Sequence, residues 1–245
     1  MFNYNIYKTG YTKKREFPEW ECPLCNKGVL KYYEPSFTVL KSVDSVLNST
    51  NEFWSPMYDK NSFAVLLICT DSNCRHTVLC TGIIEFNDTI YKDDETDNFY
   101  TEIEEVLKPR YFNPSLNFFP IIKKIPHIIK NDILLLFNLF WHDTNSCANK
   151  IQTIINLILD KLNIPSTYSE NGITYKCNLS KRLEFLKEVN NEMTELILSN
   201  YWILKDSRYN LNISRSDLFN AILHLEKIIN MAISSFPDFK DELNF

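Results

Sequence analysis

The chain is organised around residues 126–165, which read PHIIKNDILLLFNLFWHDTNSCANKIQTIINLILDKLNIP. Apolar residues recur here at spacings of three and four, the period of a helix with one buried stripe. They are Ile128, Ile129, Ile133, Leu136, Phe137 and Phe140 in the first half and Cys147, Ile151, Ile154, Ile155, Ile158 and Leu162 in the second. Pro126 suits a first helical turn, Asp143–Ser146 is rich in capping side chains, and Pro165 ends the pattern. The segment therefore predicts two antiparallel helices.

Three more helices are predicted after this hairpin. Asn178 opens the first, and the second spans roughly Asn190–Leu204. A long last helix, capped by Ser214 or Ser216, runs to Pro237. Polar loops are predicted at residues 167–177 and 205–212. Five helices with short connections indicate an all-α helical bundle.

Composition bounds the class of protein. Of 245 residues, 44% are hydrophobic and 14% aromatic, which is enough for a core and excludes general disorder. Only 4 glycines argue against glycine-rich phosphate loops, and a net charge of -5 gives no general attraction to nucleic acid. No apolar run is long enough to span a bilayer, and no basic-then-apolar leader is visible. We therefore expect a cytoplasmic protein that makes no contact with a membrane.

Four cysteines form two close pairs. Cys22 and Cys25 are separated by Pro-Leu and followed by Asn-Lys-Gly, whereas Cys69 and Cys74 form a wider pair further along. Strand-like stretches flank both pairs, which is the layout of a zinc ribbon. Thiols in a chain without a secretory signal favour metal over disulfides. The sequence therefore predicts a closed, structural Zn2+ site with four ligands, Cys22, Cys25, Cys69 and Cys74.

Two alternatives remain for these cysteines. His76 or Cys80 could replace one ligand, although both lie in the strand predicted after the second pair, where Cys80 suits the core. The cysteines could also be buried or unpaired thiols that hold no metal. Two close pairs rarely arise by accident, which favours the metal site.

The sequence divides into three parts. Residues 1–90 are assigned to a small β-rich zinc-ribbon module and residues 121–245 to the helical bundle. Residues 91–120 are interpreted as a linker, because Asn87–Glu105 is strongly acidic and Lys108–Pro120 contains three prolines. We expect a solvated acidic segment there, followed by an extended strap across the helical domain. The predicted fold class is α+β.

Several short motifs make the chain similar to a known family. They are Lys-Pro-Arg-Tyr at 108–111, Asn-Phe-Phe-Pro at 117–120, Pro126, Phe-Trp at 140–141, Ser-Cys-Ala-Asn-Lys at 146–150 and the closing helix at 218–229. On these residues the chain resembles domain of unknown function 4145, a family often preceded by a zinc ribbon, over roughly Cys22 to Ile233. That family is similar to the helical HEPN superfamily, whose active members are metal-independent RNases, and it occurs in prokaryotic antiviral defence. The resemblance implies a HEPN-like bundle that dimerises through a helix face.

The resemblance carries no catalytic activity to this chain. HEPN nucleases use an Arg followed four to six residues later by a His, so that both groups reach one phosphate. No Arg here precedes a His at that spacing, and Ser207-Arg208-Tyr209 stands where family members tend to carry the His. No nucleophile elbow, Walker loop or zinc-protease helix is present. We therefore expect no catalytic residues and no cofactor-binding residues beyond the metal ligands.

Three functions remain open. The first, which we favour, is a non-catalytic zinc-binding adaptor that contacts nucleic acid through the ribbon or a defence-system protein through the bundle. Its candidate basic residues are Lys27, Lys31 and Arg75, joined by Lys13, Lys14, Arg15, Lys123 and Lys124. The second is a dimeric protein–protein scaffold in which the zinc is purely structural and those charges are ordinary surface. The third is a degenerate HEPN-type RNase that depends on Arg208 or Arg215.

Overall fold

The structure is a computed structural model, and it describes residues 7, 12–13, 17–55, 57, 59, 61–92, 99–122, 124–201, 203, 213–236 and 239. The chain divides into two compact units, residues 1–116 and residues 117–245. Strands dominate the first unit and helices the second, so the α+β class is confirmed. Some predictions fall outside the described residues; they concern Lys14, Arg15, Lys123, Arg208, Pro237 and the side chain of Lys13.

The N-terminal unit is a seven-stranded antiparallel sheet that curls into a half-barrel. Its strands are β1 (Thr12–Lys13), β2 (Trp20–Glu21), β3 (Val29–Tyr32), β4 (Thr38–Lys41), β5 (Asn61–Cys69), β6 (Thr77–Lys92) and β7 (Phe99–Asn113). The strand order is β1-β7-β6-β5-β3-β2, and β4 also pairs with β5. A 3-10 turn (Glu34–Ser36) and helix α1 (Val43–Asn48) lie on either side of β4. This sheet is larger than the small zinc ribbon expected from the sequence.

Strand β5 shows how the sheet buries one face. Alternate residues of β5 point inwards, so Phe63, Leu67 and Cys69 are buried while the residues between them are more exposed. Trp20 of β2 and Phe112 of β7 belong to the same core, and their ring centroids lie 5.2 Å apart. Because a slip of one residue would turn every side chain to the other face, this alternation fixes the register. It also directs Cys69 inwards at the end of β5.

The acidic linker predicted within residues 91–120 is wrong for the residues that the structure describes. Strands β6 and β7 pair out to Lys92 and Phe99, so the acidic stretch is part of a β-ladder. Among the described residues, the outer part of this ladder, residues 85–92 of β6 and 99–105 of β7, pairs with no third strand; we call it the β6–β7 arm. Three apolar side chains of the arm are exposed by 70, 72 and 43%: Ile90, Phe99 and Ile103. Alternating β-branched and aromatic residues favour strand pairing here despite the charges.

The predicted strap is also wrong for residues 108–113, because they belong to β7. Proline is tolerated in a strand where the ladder is irregular. The pairing of β6 with β7 shifts register between Thr81 and Gly82, and Gly82 pairs with Pro109. A Cβ atom at Gly82 would lie 2.2 Å from the carbonyl oxygen of Lys108, so the two backbones approach closely only because residue 82 is glycine.

The C-terminal unit contains the predicted helical hairpin. Helix α2 (His127–His142) begins directly after Pro126, and helix α3 (Thr144–Lys161) follows it. Asp143 separates the two helices, and its Oδ1 atom accepts hydrogen bonds from the backbone N–H groups of α3's first turn at 3.0 Å. The apolar stripe is buried as predicted except for Ile128, which is 56% exposed. The buried positions of α2 are Ile129, Ile133, Leu136, Phe137, Phe140 and Trp141.

The later helices begin at side-chain caps. They are α4 (Leu179–Val189), α5 (Asn191–Leu198) and α6 (Arg215–Ser235). The cap oxygens of Asn178, Asn190 and Ser214 accept backbone N–H groups three residues ahead, at 2.9, 3.0 and 3.1 Å. Of the two serines proposed as the cap of the last helix, Ser214 is therefore the one used.

One predicted loop of this unit is a β-hairpin. Within residues 167–177 the structure has β8 (Thr167–Glu170) paired with β9 (Ile173–Lys176). The turn residues Asn171 and Gly172 have φ values of 51° and 77°. Asn-Gly is the pair that two-residue hairpin turns with positive φ prefer. The C-terminal unit is therefore mainly helical but not all-α.

Candidate metal centre

The turn between β2 and β3 places the first cysteine pair; we call residues 22–28 the first knuckle. The N–H of Cys22 donates to the carbonyl of Gly28 at 2.9 Å, and the N–H of Asn26 donates to the carbonyl of Cys22 at 3.0 Å. The N–H of Gly28 then donates to the Sγ atom of Cys25 at 3.4 Å. These bonds fold the backbone under the sulfur atoms, so both thiols of the pair are aimed at the same point.

The turn between β5 and β6 places the second pair; we call residues 69–76 the second knuckle. The N–H of Cys69 donates to the carbonyl of His76 at 2.8 Å, which closes the turn, and the N–H of Cys74 donates to the carbonyl of Asp71 at 3.1 Å. Arg75 has a φ of 47°, a left-handed conformation that lets the chain reverse after Cys74. These features bring Cys69 and Cys74 close together although their spacing is wider than that of the first pair.

The two knuckles bring four sulfur atoms together. The Sγ atoms of Cys22, Cys25, Cys69 and Cys74 all lie within 4.8 Å of one another. Two of the sulfur pairs join opposite knuckles: Cys22 to Cys74 at 3.8 Å and Cys25 to Cys69 at 3.7 Å. A tetrahedral site with Zn–S bonds of about 2.3 Å has sulfur–sulfur edges of about 3.8 Å. The cluster could therefore hold a metal ion such as zinc.

The environment of the thiols supports the same chemistry. The N–H groups of Gly28 and Lys27 lower the pKa of Cys25 to about 6, because they stabilise its thiolate. Burial raises the pKa of Cys69 to about 12, because it disfavours the charged form. A bound divalent cation would favour the thiolate form of both cysteines, because it stabilises every thiolate that binds it.

Gly28 leaves space for the cluster. A Cβ atom at this position would lie 2.6 Å from the Sγ atom of Cys69 and 2.8 Å from the N atom of Asp71. Any larger residue would push the second knuckle away from the first. The glycine that follows the first cysteine pair in the sequence is therefore a packing requirement of the site.

The alternative ligands lie differently. Cys80 is buried on β6, paired with Val65 of β5 and Phe112 of β7. Burial raises the pKa of its thiol well above the usual value. Neither Cys80 nor His76 belongs to the four-sulfur cluster among the described residues.

The candidate basic residues separate into two clefts beside the cluster. Lys31 and Arg75 line one of about 300 Å3, together with Tyr33, a residue that the sequence analysis did not select. Lys27 lines another of about 410 Å3 with Leu24. Tyr33 follows β3 directly in an extended conformation, and residues two apart in extended backbone share a face, so its spacing from Lys31 was a signal that the sequence contained. Lys124 lies in the other unit and is exposed.

The arginine proposed for a degenerate nuclease has a structural role. The guanidinium of Arg215 donates from Nη1 to the carbonyl of Phe140 at 2.9 Å and from Nη2 to the carbonyl of Trp141 at 3.0 Å. These carbonyls are among the four at the end of α2 that lack helical partners. His224, on the same helix, lies with its Nδ1 atom 2.8 Å from the side-chain amide of Asn200. Both residues therefore have local roles in holding helices.

Comparison with known proteins gives a match to part of the chain. A family model described as a domain of unknown function (DUF8608) matches residues 10–112, which cover almost the whole sheet. No curated protein and no solved structure matches the chain. None of the helices that the structure describes has the length and apolar character needed to cross a membrane.

The resemblance to domain of unknown function 4145 is therefore wrong. The motifs that suggested it have local structural explanations. Lys-Pro-Arg-Tyr at 108–111 lies in β7, where it pairs with β6. Ser-Cys-Ala-Asn-Lys at 146–150 forms the start of α3, where Cys147 and Ala148 are buried and Lys150 pairs with Asp132 at 3.1 Å.

Proposed function

We propose that this chain is a non-catalytic, zinc-binding interaction protein whose N-terminal unit is stabilised by a structural zinc ion. The observation that carries the proposal is the cluster of four sulfur atoms within 4.8 Å. Four thiolates complete the tetrahedral shell of Zn2+ and leave no position for water or substrate. Zinc bound here would stabilise the fold and would not activate a nucleophile. The site then resembles a zinc ribbon built into a larger sheet.

The residues of the chain have defined roles in this site. Cys22 and Cys25 would bind from the first knuckle and Cys69 and Cys74 from the second, so that one ion connects turns far apart in the sequence. The backbone N–H of Gly28 donates to Cys25 and holds its sulfur in place. Partners of this kind orient metal ligands and influence metal affinity.

Metal analysis of the purified full chain tests the proposal. We expect one zinc ion per chain, and replacement by Co2+ should give the ligand-field absorption of a tetrahedral thiolate site. The Cys69→Ser variant should lose this signal. Cys177→Ser is the matched control, because Cys177 is a buried thiol of the other unit, outside the cluster. A chain that purifies without metal and shows no cobalt–thiolate spectrum would contradict the proposal.

A second candidate function is the binding of single-stranded nucleic acid beside the cluster. The cleft of about 300 Å3 is lined by Lys31, Arg75 and two tyrosines, and none of the described residues that line it is acidic. Tyr33 is 47% exposed, so its ring is available for stacking on a base. Lys31 lies 3.5 Å from Glu19, but both side chains are more than 60% exposed, so this ion pair is weak. The cations could therefore contact phosphates.

Fluorescence anisotropy separates this candidate from a protein-interaction role. We expect the zinc-loaded chain to bind short single-stranded RNA more tightly than duplex DNA, with affinity that falls as salt rises. Tyr33→Ala should weaken binding, whereas Tyr33→Phe retains the aromatic ring and should not. An affinity that neither substitution changes, or the absence of binding at low salt, would reject this candidate.

The remaining hypothesis is a protein–protein scaffold with purely structural zinc. It predicts self-association that does not depend on salt, together with no nucleic-acid binding. The expected defence-system partner and the residual RNase activity came from the corrected family resemblance, and the described residues give them no other support. Size-exclusion chromatography with light scattering at two salt concentrations would detect the scaffold.

A further inference from the structure

Helix α1 turns its apolar side away from the sheet unit. Its one buried residue is Ser45, whereas Val43, Val46 and Leu47 are 74, 53 and 66% exposed. Residues three and four apart lie on the same side of a helix, so these three side chains form a single apolar face. The later helices, α2 to α6, all bury apolar side chains. Helix α1 is therefore inverted relative to an ordinary surface helix, which turns its apolar stripe towards the core.

Hydroxyl groups hold both ends of α1. The Oγ atom of Ser42 accepts the N–H of Ser45 at 3.1 Å and lies 2.9 Å from the Oγ atom of the same residue. After the helix, the hydroxyl groups of Ser49 and Thr50 donate to carbonyls of its last turn at 2.7 and 2.8 Å. Caps of this kind satisfy backbone groups that lack a partner within a helix. The ends of α1 are therefore fixed by side chains of its own segment, and the apolar face takes no part in this.

Two more apolar side chains near α1 in the sequence are exposed. Leu40, on β4, is 65% exposed, and Phe53, after the helix, is 85% exposed. Leu40 is paired with the exposed Ser62 of β5, so it lies on the outer face of the sheet. We call the five exposed residues the outer patch; they are Leu40, Val43, Val46, Leu47 and Phe53.

The size of the outer patch matches that of a protein interface. From their exposed fractions, its five residues present about 600 Å2 of surface, so two copies would together bury about 1,200 Å2, the lower bound of specific, stable interfaces. Polar residues of the same segment, such as Lys41 and Asp44, would add to this area as the rim of the interface. A second copy of the same patch is therefore large enough to cover it.

The charges beside the outer patch favour another protein over a membrane. Helices that bind bilayers carry Lys and Arg on their polar face, whereas α1 has no basic residue and contains Asp44. Lys41, which precedes the helix, pairs with Asp59 of the same chain at 3.8 Å. The patch therefore lacks the surplus of positive charge that attracts anionic lipids. An apolar surface with so little charge fits another surface of the same kind, which a second copy provides.

We propose that the outer patch is the interface of a symmetric dimer of this chain. A two-fold axis brings the patches of two copies face to face, so that each α1 packs its apolar face against the other copy. Phe53 is the largest and most exposed residue of the patch, and it is the anchor of the interface. The dimer names the partner for the interaction role proposed above and rests on that role, but it uses no residue of the metal centre.

Sedimentation equilibrium of the zinc-loaded full chain tests the dimer. We expect a dimer at micromolar concentrations, and Val43→Asp and Phe53→Ser should each raise its dissociation constant by about tenfold or more. Ile128→Asp is the matched control, because Ile128 is also an exposed apolar residue in the first turn of a helix but belongs to the other unit. Aspartate is favourable in a first helical turn, so both helices should be retained.

The outcomes are distinct. A monomer at every concentration would overturn the proposal, and so would a dimer that Val43→Asp and Phe53→Ser leave unchanged or that Ile128→Asp weakens equally. Co-sedimentation of a monomer with phosphatidylcholine vesicles would also overturn it and would assign the outer patch to a lipid surface. Zinc content, measured in the same samples, separates this result from the proposed function: a zinc-loaded monomer contradicts only the dimer, and a metal-free dimer contradicts only the metal site.

Discussion

The sheet unit and the helical unit hold their turns in place by different means. In the sheet unit, the two knuckles meet at four sulfur atoms. Leu24, at the tip of the first knuckle, is 66% exposed. In the helical unit, turns are held by caps such as Asp143 and by a core that includes Phe137, which is fully buried. With zinc bound as proposed, one ion would hold both knuckles of the sheet unit, whereas the turns of the helical unit depend on many small contacts.

Removal of the metal should have the largest effect, and it should destabilise the sheet unit much more than the helical unit. Structural zinc sites in small peptides bind with apparent free energies of about 10–16 kcal/mol, which are also folding free energies. We expect chelation, or Cys69→Ser, to remove amide-exchange protection from β3, β5 and the knuckles while α2 and α3 stay protected. Hydrogen exchange with mass spectrometry measures both regions in one sample. Equal loss of protection in the two units would contradict the comparison.

A cavity in the helical core should have the next largest effect. Phe137 is fully buried and packs against Phe118 and Phe119, with centroid distances of 5.2 and 5.1 Å. Phe137→Ala should lower the unfolding free energy of the helical unit by about 3–5 kcal/mol. Leu135→Ala, at a position 45% exposed on the same helix, should cost much less. Urea denaturation followed by helical circular dichroism distinguishes them, and zinc affinity should not change in either variant.

Crowding of the metal site should have a smaller effect. Gly28→Ala places a methyl group 2.6 Å from the Sγ atom of Cys69, so the second knuckle must shift. Metal affinity should fall by about 10–100-fold, the range seen when groups around metal ligands are changed. Gly172→Ala is the control: its φ of 77° makes alanine strained, but a Cβ there meets no atom within 4 Å and the residue lies in the helical unit, away from the cluster. Competition with a chromogenic zinc chelator measures both variants, and equal affinities would refute the packing role of Gly28.

The smallest effect is expected at the cap of α3. Loss of the cap in Asp143→Ala should cost about 0.5–2 kcal/mol at neutral pH. The hydroxyl of Ser146 donates to Asp143 Oδ2 at 2.5 Å and is the main reason that the pKa of this carboxyl is lowered. A folded pKa below the unfolded value, about 3.9, means that this stabilisation is present above that value and lost as pH falls through the folded pKa.

The difference between the parent chain and Asp143→Ala should therefore shrink in acid. Urea denaturation at neutral pH and at pH about 3 measures it. Asp143→Asn keeps an acceptor for the backbone N–H groups without the charge, so it should lie between the two at neutral pH. A difference that is unchanged by pH would show that the carboxylate charge contributes nothing to the cap.

The spacing of residues within short segments predicted two features of the structure. The α2–α3 hairpin follows from apolar spacing and from Asp143, and the meeting of the knuckles follows from the spacing of Cys22 with Cys25 and of Cys69 with Cys74. Whether these cysteines bind zinc stays a prediction. The β8–β9 hairpin was missed although Asn171-Gly172 is a strong turn signal.

Other features depend on contacts that no single segment contains. The acidic residues of the β6–β7 arm obscured its alternating pattern, and strand pairing across the sheet decided the outcome. The ion pair of Arg182 in α4 with Asp160 in α3 joins two elements that are separate in the sequence, so no motif could reveal it. The family resemblance was wrong, and two of its motifs have local roles, since residues 108–111 pair with β6 and residues 146–150 lie at the start of α3.

The β6–β7 arm has a consequence for the behaviour of concentrated protein. Unpaired strand edges with exposed apolar side chains promote pairing between chains, and Ile90 and Phe99 are both at least 70% exposed. The described residues of the arm carry one lysine and five acidic residues, Glu85, Asp88, Glu102, Glu104 and Glu105. These acidic side chains repel those of a second chain and so oppose aggregation. As pH falls towards the sequence pI of about 5.5, that repulsion weakens, so solubility should decline first through this arm.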